Sequence, residues 1–153
     1  MLKTRLIPVL LLKNGILVRS RNFTFHQLIG NHIEQAKRFS EWKADEIIYL
    51  DITRDNVYEF EKIKNVIGST SSKSEVAINS RKNMIEIVQD VSKICRVPLT
   101  IGGKIKSLDD IRLRLKAGAD KVVLNTAAIE NPLLIKQAAS EFGSQCIVVC
   151  LDL

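Results

Sequence analysis

Two aspartates, Asp51 and Asp152, each end an apolar run, "EIIYLD" and "QCIVVCLD". Carboxylates fixed at the ends of apolar segments are candidates for general acid and base. Asp51 has a second reading, since it can accept hydrogen bonds from the backbone of its own loop. Between them lies "VPLTIGGKIKSLDDI", Val97 to Ile111, where two glycines and a lysine follow an apolar run and precede a helical pattern. Gly102 and Gly103 would let a ligand approach the backbone closely, and Lys104 adds charge. Asn125 and Thr126 follow the next apolar run, and their side chains can donate hydrogen bonds to phosphate oxygens, as can backbone N–H groups near a helix start. The "GGK" is not a P-loop, because the GxxxxGK[ST] spacing is absent. A tight strand-to-helix turn is its alternative reading.

These residues need a frame. Strand-like runs are expected at 5–12, 46–52, 97–103, 120–126 and 145–153. Amphipathic helical patterns fall between them at 31–43, 80–94, 107–118 and 131–143, with Asn31, Ser80 and Ser107 as candidate N-caps. Pro132 at a first helical position, and Gly118 and Gly143 at helix ends, fit the usual start and stop signals. Continuous aliphatic strands alternating with helices imply an α/β fold with a parallel sheet. An open doubly wound sheet could use this pattern. A (β/α)8 barrel could also, but would need three further units and about 250 residues. In either fold ligands bind beyond the C-terminal strand ends, which is where Leu11, Leu12, Lys13, Asn14, Gly15, Asp51, Thr53, Gly102, Gly103, Lys104, Asn125, Thr126 and Asp152 fall.

One segment, 54–80, interrupts the alternation. Its centre, "GSTSSKS", reads as a loop excursion within a single domain covering 1–153. Long insertions of this kind act as binding loops or are tolerated surface additions. The 153 residues are 46% hydrophobic, enough for one core. The net charge of +6 suits an anionic partner, but the basic residues are scattered and aromatics are only 5%, which argues against nucleic acid. Cys95, Cys146 and Cys150 have no zinc or CxxC spacing, so no metal is expected. Cys146 and Cys150 read as buried thiols, and the odd cysteine count as a reducing compartment. The apolar start, "MLKTRLIPVLLL", is broken by Pro8, lacks a cleavage site and is too short to span a bilayer. A cytoplasmic protein without membrane contact is expected. His26 and His32 read as surface residues of the first loop and helix start.

The strings "MLKTRLIPVL", "DEIIYLDIT", "VPLTIGG", "AGADKVVLNTAAIENP" and "FGSQCIVVCLD" together resemble the cyclase subunit of imidazole glycerol phosphate synthase, nearly along the whole chain. The resemblance implies part of a (β/α)8 TIM barrel, strands one to five with four intervening helices. It implies a lyase-family protein without a cofactor that receives ammonia from a glutaminase partner and acts on a phosphorylated small molecule in histidine biosynthesis. It places Arg5, Glu46 and Lys121 at an ammonia gate and Asp120 at the glutaminase interface. Gly102, Gly103, Lys104, Asn125, Thr126, Asp51 and Arg19 fall to phosphate or substrate binding, and Asp152 to acid–base catalysis.

The departures are informative. The family's strand-one catalytic aspartate is Leu11 here, which cannot transfer a proton. Its third turn glycine is Lys104, its loop lysine is Arg19, and its "KDG" is "KNG" at 13–15. Retained entry residues with a lost acid resemble a divergent branch that passes ammonia to a surface-polysaccharide sugar amidotransferase. A genuine cyclase and a non-catalytic phosphate-binding module are the alternatives. Strands six to eight are not in this sequence, so strands one and five are expected to be unpaired edges. A truncated barrel is the expected explanation, with a self-pairing half-barrel as the other.

Overall fold

The computed structural model describes residues 3–22, 25–54, 58 and 83–151. Among them, strands β1 (Val9–Lys13), β2 (Ile16–Arg21), β3 (Phe25–Gly30), β4 (Ile47–Asp51), β5 (Leu99–Gly102), β6 (Lys121–Leu124) and β7 (Ile147–Val149) form one sheet in the order β3-β2-β1-β4-β5-β6-β7. The pairings β1–β4, β4–β5, β5–β6 and β6–β7 are parallel. Helices α1 (His32–Glu41), α2 (Met84–Ser92), α3 (Leu108–Lys116), α4 (Thr126–Glu130) and α5 (Pro132–Phe142) stand between the strands, and a 3-10 turn, Ser144–Cys146, leads into β7. This is the α/β arrangement of a partial (β/α)8 barrel, and the sheet formed by the described residues is not closed.

The first departure from expectation is a hairpin. Asn14 and Gly15 have φ of 50° and 77°, and Lys13 pairs with Ile16. Two positive-φ residues between paired strands make the turn that suits a right-twisted hairpin, which is why Asn-Gly favours it. The hairpin β2–β3 therefore covers the outer side of β1, so strand one is not an edge. The edges of the described sheet are β3 and β7.

Alternation decides which face is covered. In β4, Ile47, Tyr49 and Asp51 are buried while Ile48 and Leu50 are half-buried. Successive strand residues face opposite sides. Ile47 and Tyr49, with Leu10, Leu12, Leu99 and Ile101, pack under Ala36 of α1 and Ile87, Val88 and Val91 of α2, while Asp51 ends the strand at the rim. Ile48 and Leu50 line the concave face. The Tyr49 hydroxyl donates to the His32 carbonyl at 2.6 Å, which fixes the start of α1 against β4.

Helix ends follow local chemistry. Asn31 caps α1 by accepting from the Ile33 N–H at 2.7 Å. Ser107 and Asp110 form a reciprocal capping box on α3. Pro132 opens α5 and Gly143, φ 93°, follows its end. Helix α2 is capped by Asn83 and begins at Met84; the expected cap Ser80 lies outside the described residues, as does the 54–80 segment apart from Arg54 and Tyr58. The run at 120–126 ends early as a strand, because Thr126 already begins the short α4. Strand one starts only at Val9 and β7 covers only three residues.

Both histidines are buried, against expectation: His26 lies within β3, and His32 is only 1% exposed. Cys95, Cys146 and Cys150 are half-buried and form no disulfide, so Cys146 and Cys150 are less enclosed than expected. No described helix is long and apolar enough to cross a membrane.

Candidate functional site

The C-terminal strand ends border a cleft of about 450 Å³ lined by Asp51, Gly103, Lys104, Asn125 and Thr126, among others. Asp51 ends β4 and is buried. Its Oδ1 accepts from the Thr53 N–H at 2.9 Å, and its Oδ2 accepts from the Tyr58 hydroxyl at 3.0 Å. Lys104 Nζ lies 3.2 Å from the same Oδ2 and 5.7 Å from the centre of the Tyr58 ring. Asp51 thus braces its own loop, as its second reading had it, and also lines the cleft. Thr53 Oγ1 accepts from the Asn14 N–H at 2.7 Å, which ties the hairpin turn to the same rim. Burial and the charge of Asp51 push the Tyr58 phenol above its ordinary range, so it stays a hydrogen-bond donor.

The two glycines have different tasks. A Cβ on Gly103, at φ 104°, would come within 2.3 Å of the Asp51 carbonyl oxygen, so only glycine permits this crossing. A Cβ on Gly102 would meet Leu50 Cδ2 at 2.5 Å and Val123 Cβ at 3.0 Å. Gly102 therefore serves the packing of the concave face and does not line the cleft. Lys104 holds φ at 53°, an unusual conformation for a residue with a side chain.

Arg114, which the sequence pattern did not single out, supports this turn. It lies on the buried side of α3 with only 7% exposure. Its Nη2 donates to the Gly103 carbonyl at 2.9 Å and its Nη1 to the Asp110 carbonyl at 3.0 Å. Burial lowers its pKa, and the negative charges of Asp110 and Asp51 oppose that shift. The available signal was an arginine at the spacing of Ile111 on an amphipathic helix, where an apolar residue is the rule.

A second polar cluster occupies the opposite end of the strands. Glu46 directly precedes β4, so at ~3.3 Å per residue it stands roughly 16 Å from Asp51 along the strand. Its side chain is only 4% exposed. Glu46 Oε2 accepts from Arg5 Nη2 at 2.8 Å and from Lys121 Nζ at 2.7 Å, and Oε1 accepts from the Thr100 hydroxyl. Burial would raise the pKa of Glu46, but the bonds from Lys121, Thr100 and Arg5 outweigh it and hold the carboxyl below its ordinary value. Beside this cluster, exposed Asp120 accepts from the Leu99 N–H at 2.8 Å.

The fold thus brings Arg5, Glu46 and Lys121 together at one end, and Asp51, Gly103, Lys104, Asn125 and Thr126 at the other. Arg19 is not with them: it is an exposed residue of β2 opposite Gln27. Asp152 lies outside the described residues. Leu11 is half-buried in β1 and packs with Ile16, Val18, Leu28 and Ile52, an apolar cluster where the resemblance would put a carboxylate. Among the described residues no cluster of histidine, cysteine or carboxylates could hold a metal ion.

Residues 75–153 match the family described as histidine biosynthesis protein. The imidazole glycerol phosphate synthase subunit HisF of Exiguobacterium sp. is 43% identical over 99% of this chain and 51% of its own length. The same subunit of Lactococcus lactis subsp. lactis is 44% identical over 99% of this chain and 50% of its own length. That of Natranaerobius thermophilus is 40% identical, with 99% and 52% coverage. The chain spans about half the length of these relatives.

Proposed function

This chain belongs to the histidine biosynthesis protein family, among its HisF-type subunits, and on that premise we propose that it works as an ammonia-receiving barrel coupled to a glutaminase. In this reading ammonia enters past Arg5, Glu46 and Lys121, beside an Asp120 face that meets the glutaminase. It travels along the concave face toward the rim of Asp51, Gly103, Lys104, Asn125 and Thr126, where a phosphorylated ligand sits. The final acceptor is a sugar handled by a surface-polysaccharide amidotransferase.

The observation that carries this reading is the contrast between the two strand ends. The buried Glu46 carboxylate accepts from Arg5, Lys121 and Thr100. The strand-one position that would supply a catalytic carboxylate is Leu11, packed among Ile16, Val18, Leu28 and Ile52. A leucine can neither accept nor donate the proton that ring closure requires. A genuine cyclase is the second reading, favoured by 40–44% identity to synthase subunits.

The test is to supply the full chain with ammonia and the phosphoribosyl-aminoimidazole-carboxamide substrate of the synthase, and separately to assay its association with a glutaminase. The conduit reading expects association and no ring closure. Turnover of about 1 per second or faster, an ordinary enzymatic rate, would establish the cyclase instead.

A further inference from the structure

We propose that Lys104 is the anion-selecting residue of the cleft and that Asp51 is its built-in competitor, so that an anionic ligand binds by drawing the Lys104 ammonium away from the aspartate. The inference rests on the reading of this cleft as a phosphate site and adds the residue pair that regulates it.

The exchange has a physical basis in the geometry. The Asp51 side chain is 3% exposed and that of Lys104 is 22% exposed, so the ion pair lies on the cleft wall with its cation on the open side. The lysine stem is flexible and its ammonium is a compact charge that can change partners. Asp51 is not orphaned when Lys104 leaves. It keeps the Thr53 N–H and the Tyr58 hydroxyl, and the Arg114 guanidinium close enough to sense its charge. A buried carboxylate left without such partners would oppose the exchange strongly.

The backbone is also set for this role. A side chain at φ 53° costs about 1 kcal/mol relative to glycine. The conformation is upheld from below by Arg114 on the Gly103 carbonyl and from above by the ion pair to Asp51. A strained non-glycine residue held from two sides on a cleft wall is typical of a ligand-contacting position. Arg54 and Lys106 line the same cleft against Glu130. Positive charge therefore predominates around an incoming anion once Asp51 is occupied by its other donors.

The test is calorimetric titration of the full chain with inorganic phosphate, using wild type, Asp51→Asn, Lys104→Met, Lys104→Gly and the Asp51→Asn/Lys104→Met pair. Asp51→Asn should tighten phosphate about fivefold, the scale of one partly exposed ion pair. Both Lys104 variants should weaken it by a similar factor, and Lys104→Gly does so while relieving the backbone. In the double variant the gain from Asp51→Asn should vanish. A purely structural role for the pair predicts no tightening by Asp51→Asn. Wild-type affinity in Lys104→Gly, or no gain in Asp51→Asn, would overturn the exchange while leaving the phosphate reading intact. Absence of binding in every protein, Asp51→Asn included, would overturn both.

Discussion

Lys121 Nζ stands 2.7 Å from Glu46 Oε2 across 75 residues of sequence, joining the start of β6 to the start of β4. The Glu46 carboxyl is held below its ordinary 4.5 by Lys121, Thr100 and Arg5 in spite of its burial. A group whose folded pKa is lowered stabilises the protein above its unfolded pKa, and that stability is lost as pH falls through the folded value. Thermal unfolding should therefore show a flat neutral region and a decline below about pH 4.5. Glu46→Gln should unfold at lower temperature at pH 7 and converge on wild type in acid. Curves that remain parallel would exclude Glu46 as the source of the acid limb.

Gly103→Ala should be among the most damaging single substitutions. Its Cβ would overlap the Asp51 carbonyl oxygen at 2.3 Å, at a φ of 104° that disfavours any side chain. A loss on the order of 3 kcal/mol or more is expected from clash and backbone strain together, measured by urea unfolding. A change under about 1 kcal/mol would mean that the turn relaxes easily.

The Ser107 hydroxyl accepts from the Asp110 N–H at 3.2 Å, and Asp110 Oδ2 accepts from the Ser107 N–H at 3.0 Å. Ser107→Ala removes one half of this box and should cost about 1 kcal/mol. Ser107→Asp keeps a capping acceptor and should retain most of the stability. Equal losses for both variants would point to a cause other than capping.

Arg114→Met should cost roughly 1–3 kcal/mol, because the Gly103 carbonyl loses its donor. Arg114→Lys keeps the charge but not the planar fork that reaches Gly103 and Asp110 at once. It should recover only part of the loss. Full recovery by lysine would show that charge alone, and not the two-pronged geometry, matters there.

Leu11→Asp would set a carboxylate among Ile16, Val18, Leu28 and Ile52. A destabilisation of about 2 kcal/mol is expected from burying an uncompensated polar group. Unchanged stability in thermal unfolding would show that this end of β1 is already hydrated, and would weaken the case that the apolar packing there replaces chemistry.

Local signals made much of the frame legible. Asn31, Ser107, Pro132 and Gly143 act at the helix ends where their chemistry places them. The strand–helix alternation located the β4, β5 and β6 rims and hence Asp51, Gly103 and Asn125. The Asn14–Gly15 hairpin was also written locally, but continuous apolar character on both sides of it hides two strands within what reads as one strand and a loop. Burial of His26 and His32 was not legible, because nothing within either residue's own segment says that another element covers it.

The sequence by itself determined the parallel strands, the main helices, most of their caps and the residue types at each strand end, since these depend on side chains within a few positions of one another. Tertiary structure alone decided the partnerships. Lys104 meets Asp51 and Tyr58, Arg114 reaches the Gly103 carbonyl, and Glu46 collects Arg5, Thr100 and Lys121. It also decided that Gly102 packs against Leu50 and Val123 while Gly103 crosses the Asp51 backbone at the cleft wall. Each of these depends on strand order, register and helix rotation, which place distant side chains within hydrogen-bond reach, and no local pattern encodes such a distance.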